Sequence, residues 1–366
     1  MKTGIITFHQ ALNYGAVLQT YALQKTLQKM GIECEVIDYS CERINEDYKA
    51  VVLKKCKSKK DYLRTIPFFL RMSGRRKAFR KFVKKYLRLS EACDRQNIRL
   101  VGNKYDCLIT GSDQVFNDKC TDLDYNYFLA FAEDNHKKNS YAASFGFQKV
   151  PEGKEKEYEE LLSTFENISV REEKGIDIVR NVTGRQAVRN VDPTLILPAE
   201  DWKEIVGDRP FSEKYIFMYT VMEPVQGFNF AKKLADEKGL KLIYLHGTIE
   251  LREKAKNEPN VKHIYSLSPD EFITYVYHAE YVITNSFHGT VFSIIFKKKF
   301  AVELETGWSY NHRSEELVHL LGLEKRILNN GCNDDIDQVT DWKDVDLYLE
   351  NESRRSNEYL RTIITK

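Results

Sequence analysis

The sequence predicts an α/β protein of two doubly wound units, each built on a parallel sheet and facing the other. Three observations predict it. Short β-rich runs alternate with helical patterns, and strand, helix and strand in close succession call for parallel pairing. The 366 residues exceed the roughly 100–200 of a typical domain. The alternation also pauses and restarts once, near residues 195–210. The expected first unit is residues 1–200, with a basic helical insertion at about 45–100. The second is residues 201–335, and a polar helical tail, 336–366, packs back on the first.

In the first unit, "TGIITF" is β-rich, and Ala16, Thr20, Leu23, Leu27 and Met30 then recur at helical spacing. Gly31 stops that helix and "CEVIDY" is the next strand. From Lys54 to Arg88 there are fifteen Lys or Arg against one acid, Asp61, with aromatic and aliphatic residues interleaved. This pattern predicts basic amphipathic helices. They are read as a solvated insertion, or as a surface for anionic lipid or a pyrophosphate-bearing substrate. No recognition module accompanies the run, which argues against nucleic acid. "YDCLITGSDQVFN" and "KNSYAASFG" each read as a strand ending in a polar loop. Residues 155–182 read as helix, short strand and helix, and "QAVRNVDPTLIL" as the last strand of this half.

The second unit runs "KYIFMYTVM" (strand), "GFNFAKKLADEK" (helix) and "LKLIYLHG" (strand). "SPDEFITYVYHA" is a helix with Ser268 as N-cap, Pro269 in the first turn, and Asp270 and Glu271 at its positive end. "EYVIT" is a strand and "TVFSIIF" the helix that returns from it. "KKFAVEL" is a strand, and "NHRSEELVHLLGL" a helix closed by Gly322.

Ligands of such sheets sit outside the carboxyl ends of the strands. Polar groups gather there. His9, Gln10, Asn13 and Gly15 come after the first strand, and Gly111, Ser112, Asp113 and Gln114 after the strand at 105–110. Ser144 and Gly146 come after a third strand, and Asn285, Ser286, His288 and Gly289 after a fourth; His246 and Gly247 end another. Strand-to-helix turns aim backbone N–H groups at a phosphate or carboxylate. Neither GxGxxG nor GxxxxGK[ST] occurs, so neither dinucleotide binding nor ATPase chemistry is inferred. His288, at a strand's carboxyl end and a helix's start, is the candidate acid/base residue. Asp113 either orients a ligand hydroxyl or a histidine, or ties its own turn. Asn13 is a ligand contact or a helix cap. Arg171 and Arg313 are candidates for anion pairing or ordinary surface arginines. Glu303 and Glu305 share one sheet face and give no acid/base pair.

Seven scattered cysteines without CxxC spacing indicate neither a disulfide framework nor a zinc site. With no cleavable leader pattern and no apolar stretch of about 18 residues, the expected location is cytoplasmic.

Seven stretches together resemble the polysaccharide pyruvyl transferase family: "FHQALNYGAVLQTYAL", "LITGSDQVFN", "SYAASFG", "ISVREEKG", "VDPTLIL", "VITNSFHGTVFSIIF" and "NHRSEELVHLLGL". They run in order over nearly the whole chain outside the basic insertion. The resemblance implies a glycosyltransferase B-like architecture of two Rossmann-like domains with a central cleft. It implies transfer of pyruvate from phosphoenolpyruvate to two hydroxyls of a sugar, as a ketal, with no cofactor or metal required. The family histidine of an Arg-x-His pattern matches His288, and Ser286 stands where well-known members carry arginine. An early Asn-x-Gly-Asp pattern reads Asn13-Tyr14-Gly15-Ala16 here. A serine has no guanidinium fork, so Arg313, Arg171 or Lys297 is expected to supply the charge. The substrate-binding set is Asn13, Gly15, Asp113, Gln114, Ser144, Arg171, Asn285, Ser286, Gly289 and Arg313. The expected partners are a nucleotide- or lipid-linked sugar and, through residues 54–88, the anionic inner membrane surface. Two alternatives are a nucleotide-sugar-dependent glycosyltransferase and a non-catalytic sugar-binding protein of a polysaccharide system.

Overall fold

The computed structural model describes residues 1–46, 59–245, 258–304, 312–328 and 336–364. His246, Gly247 and Glu305, and the start of the basic segment, lie outside the described residues. The chain divides into two compact units, Met1–Leu197 with Glu350–Lys366, and Pro198–Leu349.

Unit 1 holds a five-stranded sheet of order β3-β2-β1-β4-β5. Its strands are β1 (Lys2–Ile6), β2 (Glu33–Tyr39), β3 (Leu89–Cys93), β4 (Cys107–Thr110) and β5 (Lys138–Ser140). All neighbours pair in parallel, with Ile5 opposite Val36 on one side and Ile109 on the other. The strands carry apolar runs because helices cover both faces of such a sheet. α1 (Tyr14–Lys29) begins at Asn13, whose side chain accepts from Ala16 N at 3.1 Å. It ends before Gly31, whose φ of +79° suits a residue without Cβ. α2 (Lys59–Tyr86) is one helix, where the sequence suggested several. The insertion is also not helical to residue 100: Leu89–Cys93 is the edge strand. Its pattern, "LSEAC", was hidden by polar residues that an exposed edge tolerates.

The stretch "QAVRNVDPTLIL" is likewise not one strand. Only Val188–Arg189 is strand (β7), paired with β6 (Ser169–Val170). Pro193–Ile196 is a helical turn. Asp192 caps it by accepting from Thr194 N at 2.9 Å, and Pro193 occupies its first position. A capping residue with Pro directly after it starts a helix and overrides the apolar run.

Unit 2 repeats the design with order β10-β9-β8-β11-β12, again all parallel. The strands are β8 (Tyr215–Tyr219), β9 (Lys241–Leu245), β10 (Val261–Ile264), β11 (Tyr281–Thr284) and β12 (Lys299–Val302). β10, a half-buried edge strand, went unread in the sequence. The helices are α3 (Gly227–Lys238), α4 (Pro269–His278), α5 (Phe287–Ile295) and α6 (His312–Leu320). At α4, Ser268 and Glu271 form a full capping box. Trp202, fully buried, meets Phe292 of α5 edge-on at 4.8 Å. The last helix, α7 (Lys343–Ile364), reaches unit 1 from Glu350 onward, where Tyr359 donates to Ser140 O at 2.9 Å. No described helix is long and apolar enough to cross a membrane.

Candidate active site

The strand order reverses between β8 and β11 in unit 2, and between β1 and β4 in unit 1. That is where a crevice opens at the carboxyl ends of a sheet of this kind.

In unit 2, β11 leads directly into α5 through Asn285 and Ser286. Asn285 ties this turn to the one after β8: its Oδ1 accepts from Val221 N at 2.9 Å and its Nδ2 donates to Met222 O at 3.1 Å. Ser286 caps α5, accepting from Gly289 N at 3.4 Å. Gly289 has a steric reason. A Cβ there would lie 2.3 Å from Thr284 Oγ1, and Thr284 is held by its own bond to Tyr219 O. A side chain would push α5 off the strand. These constraints set His288 in the first turn of α5, 7% exposed, beside the Phe287 ring. Arg313, on α6, stacks over Phe287 at 5.5 Å. Asn285, Ser286, His288, Gly289 and Arg313 therefore gather at one strand end. Lys297 is drawn into an ion pair with Asp346 at 2.6 Å. Glu303 accepts from Gln226 N and Gly227 N, and so caps α3.

In unit 1 most of the strand-end polar groups are used inside the protein. Gln19 donates to Thr7 Oγ1, and Thr7 donates in turn to Ser112 O. Arg171, nearly sealed, donates to Ser112 Oγ at 2.6 Å and pairs with Asp192 at 2.8 Å. Its charge is answered within unit 1. Ser144 donates to Glu172, and its backbone N donates to Asp113 O at 2.8 Å. Asp113 adopts a φ of 75°, the left-handed region that Asp tolerates better than most residues, and accepts from Gln114 N at 2.9 Å. Gln114 accepts from Asn117 at 2.7 Å. A Cβ on Gly146 would collide with Gln114 Oε1 at 2.1 Å. Asn13 serves as the α1 cap, with Gly15 buried in the first turn.

Asp38 was missed. It lies near the end of β2 and accepts from His9 Nε2 at 2.9 Å and Gln10 Nε2 at 2.6 Å. The bond from His9 holds its carboxyl below the ordinary carboxylate range. The signal was present: a carboxylate closing the apolar strand "CEVID", with a histidine after the neighbouring strand.

Two units of this strand order, each a parallel sheet wound by helices, make this a glycosyltransferase B-like protein with two Rossmann-like domains. Its fold is similar to that of UDP-GlcNAc 2-epimerase from Neisseria meningitidis bound to UDP-GlcNAc, with TM-score 0.53, 12% identity and 100% of each chain covered. It is also similar to S. aureus MnaA in a co-structure with UDP (TM-score 0.51, 14% identity, 100% of this chain and 97% of that one). A third is UDP-N-acetylglucosamine 2-epimerase from Rickettsia bellii (TM-score 0.51, 10% identity, 100% and 96%). At these identities the likeness is one of fold. A comparison with curated protein sequences gave no match. The sequence is more specific than the fold: residues 13–302 match the family described as polysaccharide pyruvyl transferase, and the chain belongs to that family. The protein is a transferase of polysaccharide biosynthesis.

Proposed function

We propose that the protein transfers a pyruvyl group from phosphoenolpyruvate to two hydroxyls of a sugar in a surface-polysaccharide precursor. The observation that supports this most is His288. A buried histidine stands in the first turn of α5, directly after β11, with Arg313 stacked on the adjoining Phe287.

The chemistry balances. The methylene carbon of phosphoenolpyruvate gains a proton, one sugar oxygen bonds the adjacent carbon, and a second sugar oxygen then displaces phosphate. Two hydroxyl protons are released, one replacing that taken up by the methyl group and one leaving with inorganic phosphate. His288 takes a hydroxyl proton or delivers the proton to carbon. The amides at the head of α5 and the Arg313 guanidinium hold phosphate and carboxylate, in the place of the arginine that Ser286 does not provide. Preorganised dipoles of this kind are worth about 3–4 kcal/mol at a developing charge.

The sugar is nucleotide- or lipid-linked, and the location is the cytoplasmic side of an anionic membrane touched by residues 54–88. Binding to anionic vesicles at low salt that weakens as salt rises would support that contact.

The deciding assay incubates the protein with phosphoenolpyruvate and a panel of nucleotide- and lipid-linked sugars, and measures phosphate. Sugar-dependent phosphate release is expected. Release of nucleoside diphosphate without phosphoenolpyruvate would select the glycosyltransferase reading instead. Sugar binding without turnover would select a non-catalytic role.

A further inference from the structure

Unit 1 contains a cavity of about 300 Å³ between the carboxyl ends of β1 and β2 and one face of α2. Its lining is neither that of a core void nor that of a simple anion site. Arg76, Arg80 and Lys84 reach it from α2. Their spacing of four sets all three along one stripe of the helix. Phe79 and Val83, both buried, run beside that stripe and line the same space, as does Ile44. The lining also includes Asp38, from β2.

That carboxylate is held in position. His9 Nε2 and Gln10 Nε2 both donate to Asp38 Oδ1, while the Asp38 side chain keeps 23% of its surface exposed. The His9 side chain is 1% exposed, and its other ring nitrogen faces Thr7 O at 3.3 Å. His9, which also lines the cavity, thus orients Asp38.

The ligand must satisfy two demands at once. Among the described residues that line the cavity cations outnumber carboxylates, which favours an anion, and a guanidinium fork matches the oxygens of phosphate. A carboxylate, however, accepts hydrogen bonds and repels an anion brought against it. Free phosphate meets only the first demand. A molecule with an anionic end and a hydroxyl-bearing end meets both.

We propose that this cavity binds a phosphorylated sugar, with sugar hydroxyls donating to Asp38 and the phosphate or pyrophosphate held by Arg76, Arg80 and Lys84. This adds to pyruvyl transfer a place for the acceptor's anionic end. It rests on that reading for its setting only, because binding is measured with no phosphoenolpyruvate present. Failure of transfer leaves a binding result standing, and failure of binding leaves the transfer assay standing.

The experiment is calorimetric titration of the full chain at low salt. The probes are glucose 1-phosphate, N-acetylglucosamine 1-phosphate, UDP-glucose, inorganic pyrophosphate and unphosphorylated glucose, with a lipid diphosphate-linked sugar in neutral phosphatidylcholine vesicles. Phosphorylated sugars are expected to bind, and glucose is not. The double variant Arg80→Ala/Lys84→Ala is expected to weaken binding tenfold or more. The control, Lys77→Ala/Lys81→Ala, changes two exposed lysines of the same helix that do not line the cavity. It is expected to stay within twofold. Asp38→Asn is expected to weaken sugar phosphates several-fold while leaving inorganic pyrophosphate unchanged or tighter. Tighter binding of UDP-glucose or of the lipid-linked sugar assigns the carrier. No binding by any phosphorylated probe at millimolar concentration would overturn the proposal. So would equal losses from the two double variants, or an Asp38→Asn effect identical for sugar phosphates and pyrophosphate.

Discussion

The turn after β4 in unit 1 and the turn after β11 in unit 2 occupy the same place in two sheets of the same strand order. Each sits beside the turn of the central strand, and each is tied to it by hydrogen bonds: Thr7 to Ser112 in one unit, Asn285 to Val221 and Met222 in the other. They differ in the element that comes next. In unit 2, β11 runs at once into a nine-residue helix, so the polar turn is also a helix start. In unit 1 the chain makes a left-handed turn at Asp113 and only a four-residue helix near Asp118. The first arrangement leaves amides and an imidazole at a helix head. The second folds Ser112, Arg171 and Asp192 into a sealed network. Polar residues at a strand end are thus not equivalent signals, because the next element decides whether they close into a buried network or stand at the head of a helix.

The comparison can be broken most sharply at His288. His288→Gln keeps the approximate size and is expected to lower sugar-dependent phosphate release about 10²–10⁴-fold with little change in thermal midpoint. Asp113→Asn, at the matching place in unit 1, is expected to cost less than tenfold. Full activity in the His288 variant would remove its catalytic role.

The next effect is one of stability. Arg171→Met leaves Asp192 buried without its cation, and breaking such a pair typically costs about 3–5 kcal/mol. Denaturant melts are expected to show the loss. A stable variant with a raised KM for the sugar would instead make Arg171 a ligand contact. Gly289→Ala forces a Cβ against Thr284 and is expected to destabilise unit 2 by about 1–3 kcal/mol, read from its unfolding transition.

The smallest effect is the pH response of Asp38. Its folded pKa is depressed, chiefly by the bond from His9. Its contribution to stability is therefore present above the ordinary carboxylate value of about 3.9 and is lost as pH falls through the lower folded value. Asp38→Asn should be less stable than wild type near neutrality, and the gap should close on acidification below that value. A gap that widens on acidification would contradict the sign.

Much of the frame was legible because it arises from local rules. Apolar runs separated by helical spacing marked β1, α1 and β2, and Ser268-Pro269 marked the start of α4. The misreadings share a cause. β3 and β10 are edge strands, paired on one side only, so their sequences need not be apolar. At Pro193–Ile196 a cap and a proline outweighed an apolar pattern. Of the site, the cluster at Asn285–Gly289 was legible as a polar break between two buried runs. Arg313 joins it through a ring contact that no spacing in the chain announces.

By itself the sequence determined two parallel α/β units, the family and the placing of His288 at a strand's carboxyl end, since periodicity, caps and co-linear motifs act over a few residues. Only the tertiary structure decided which polar groups are already satisfied. Whether Arg171 meets Asp192 or a ligand, and whether Asp38 meets His9, depends on partners 21 and 29 positions apart in the chain and on their burial. Long-range pairing and desolvation arise only once the sheets are assembled.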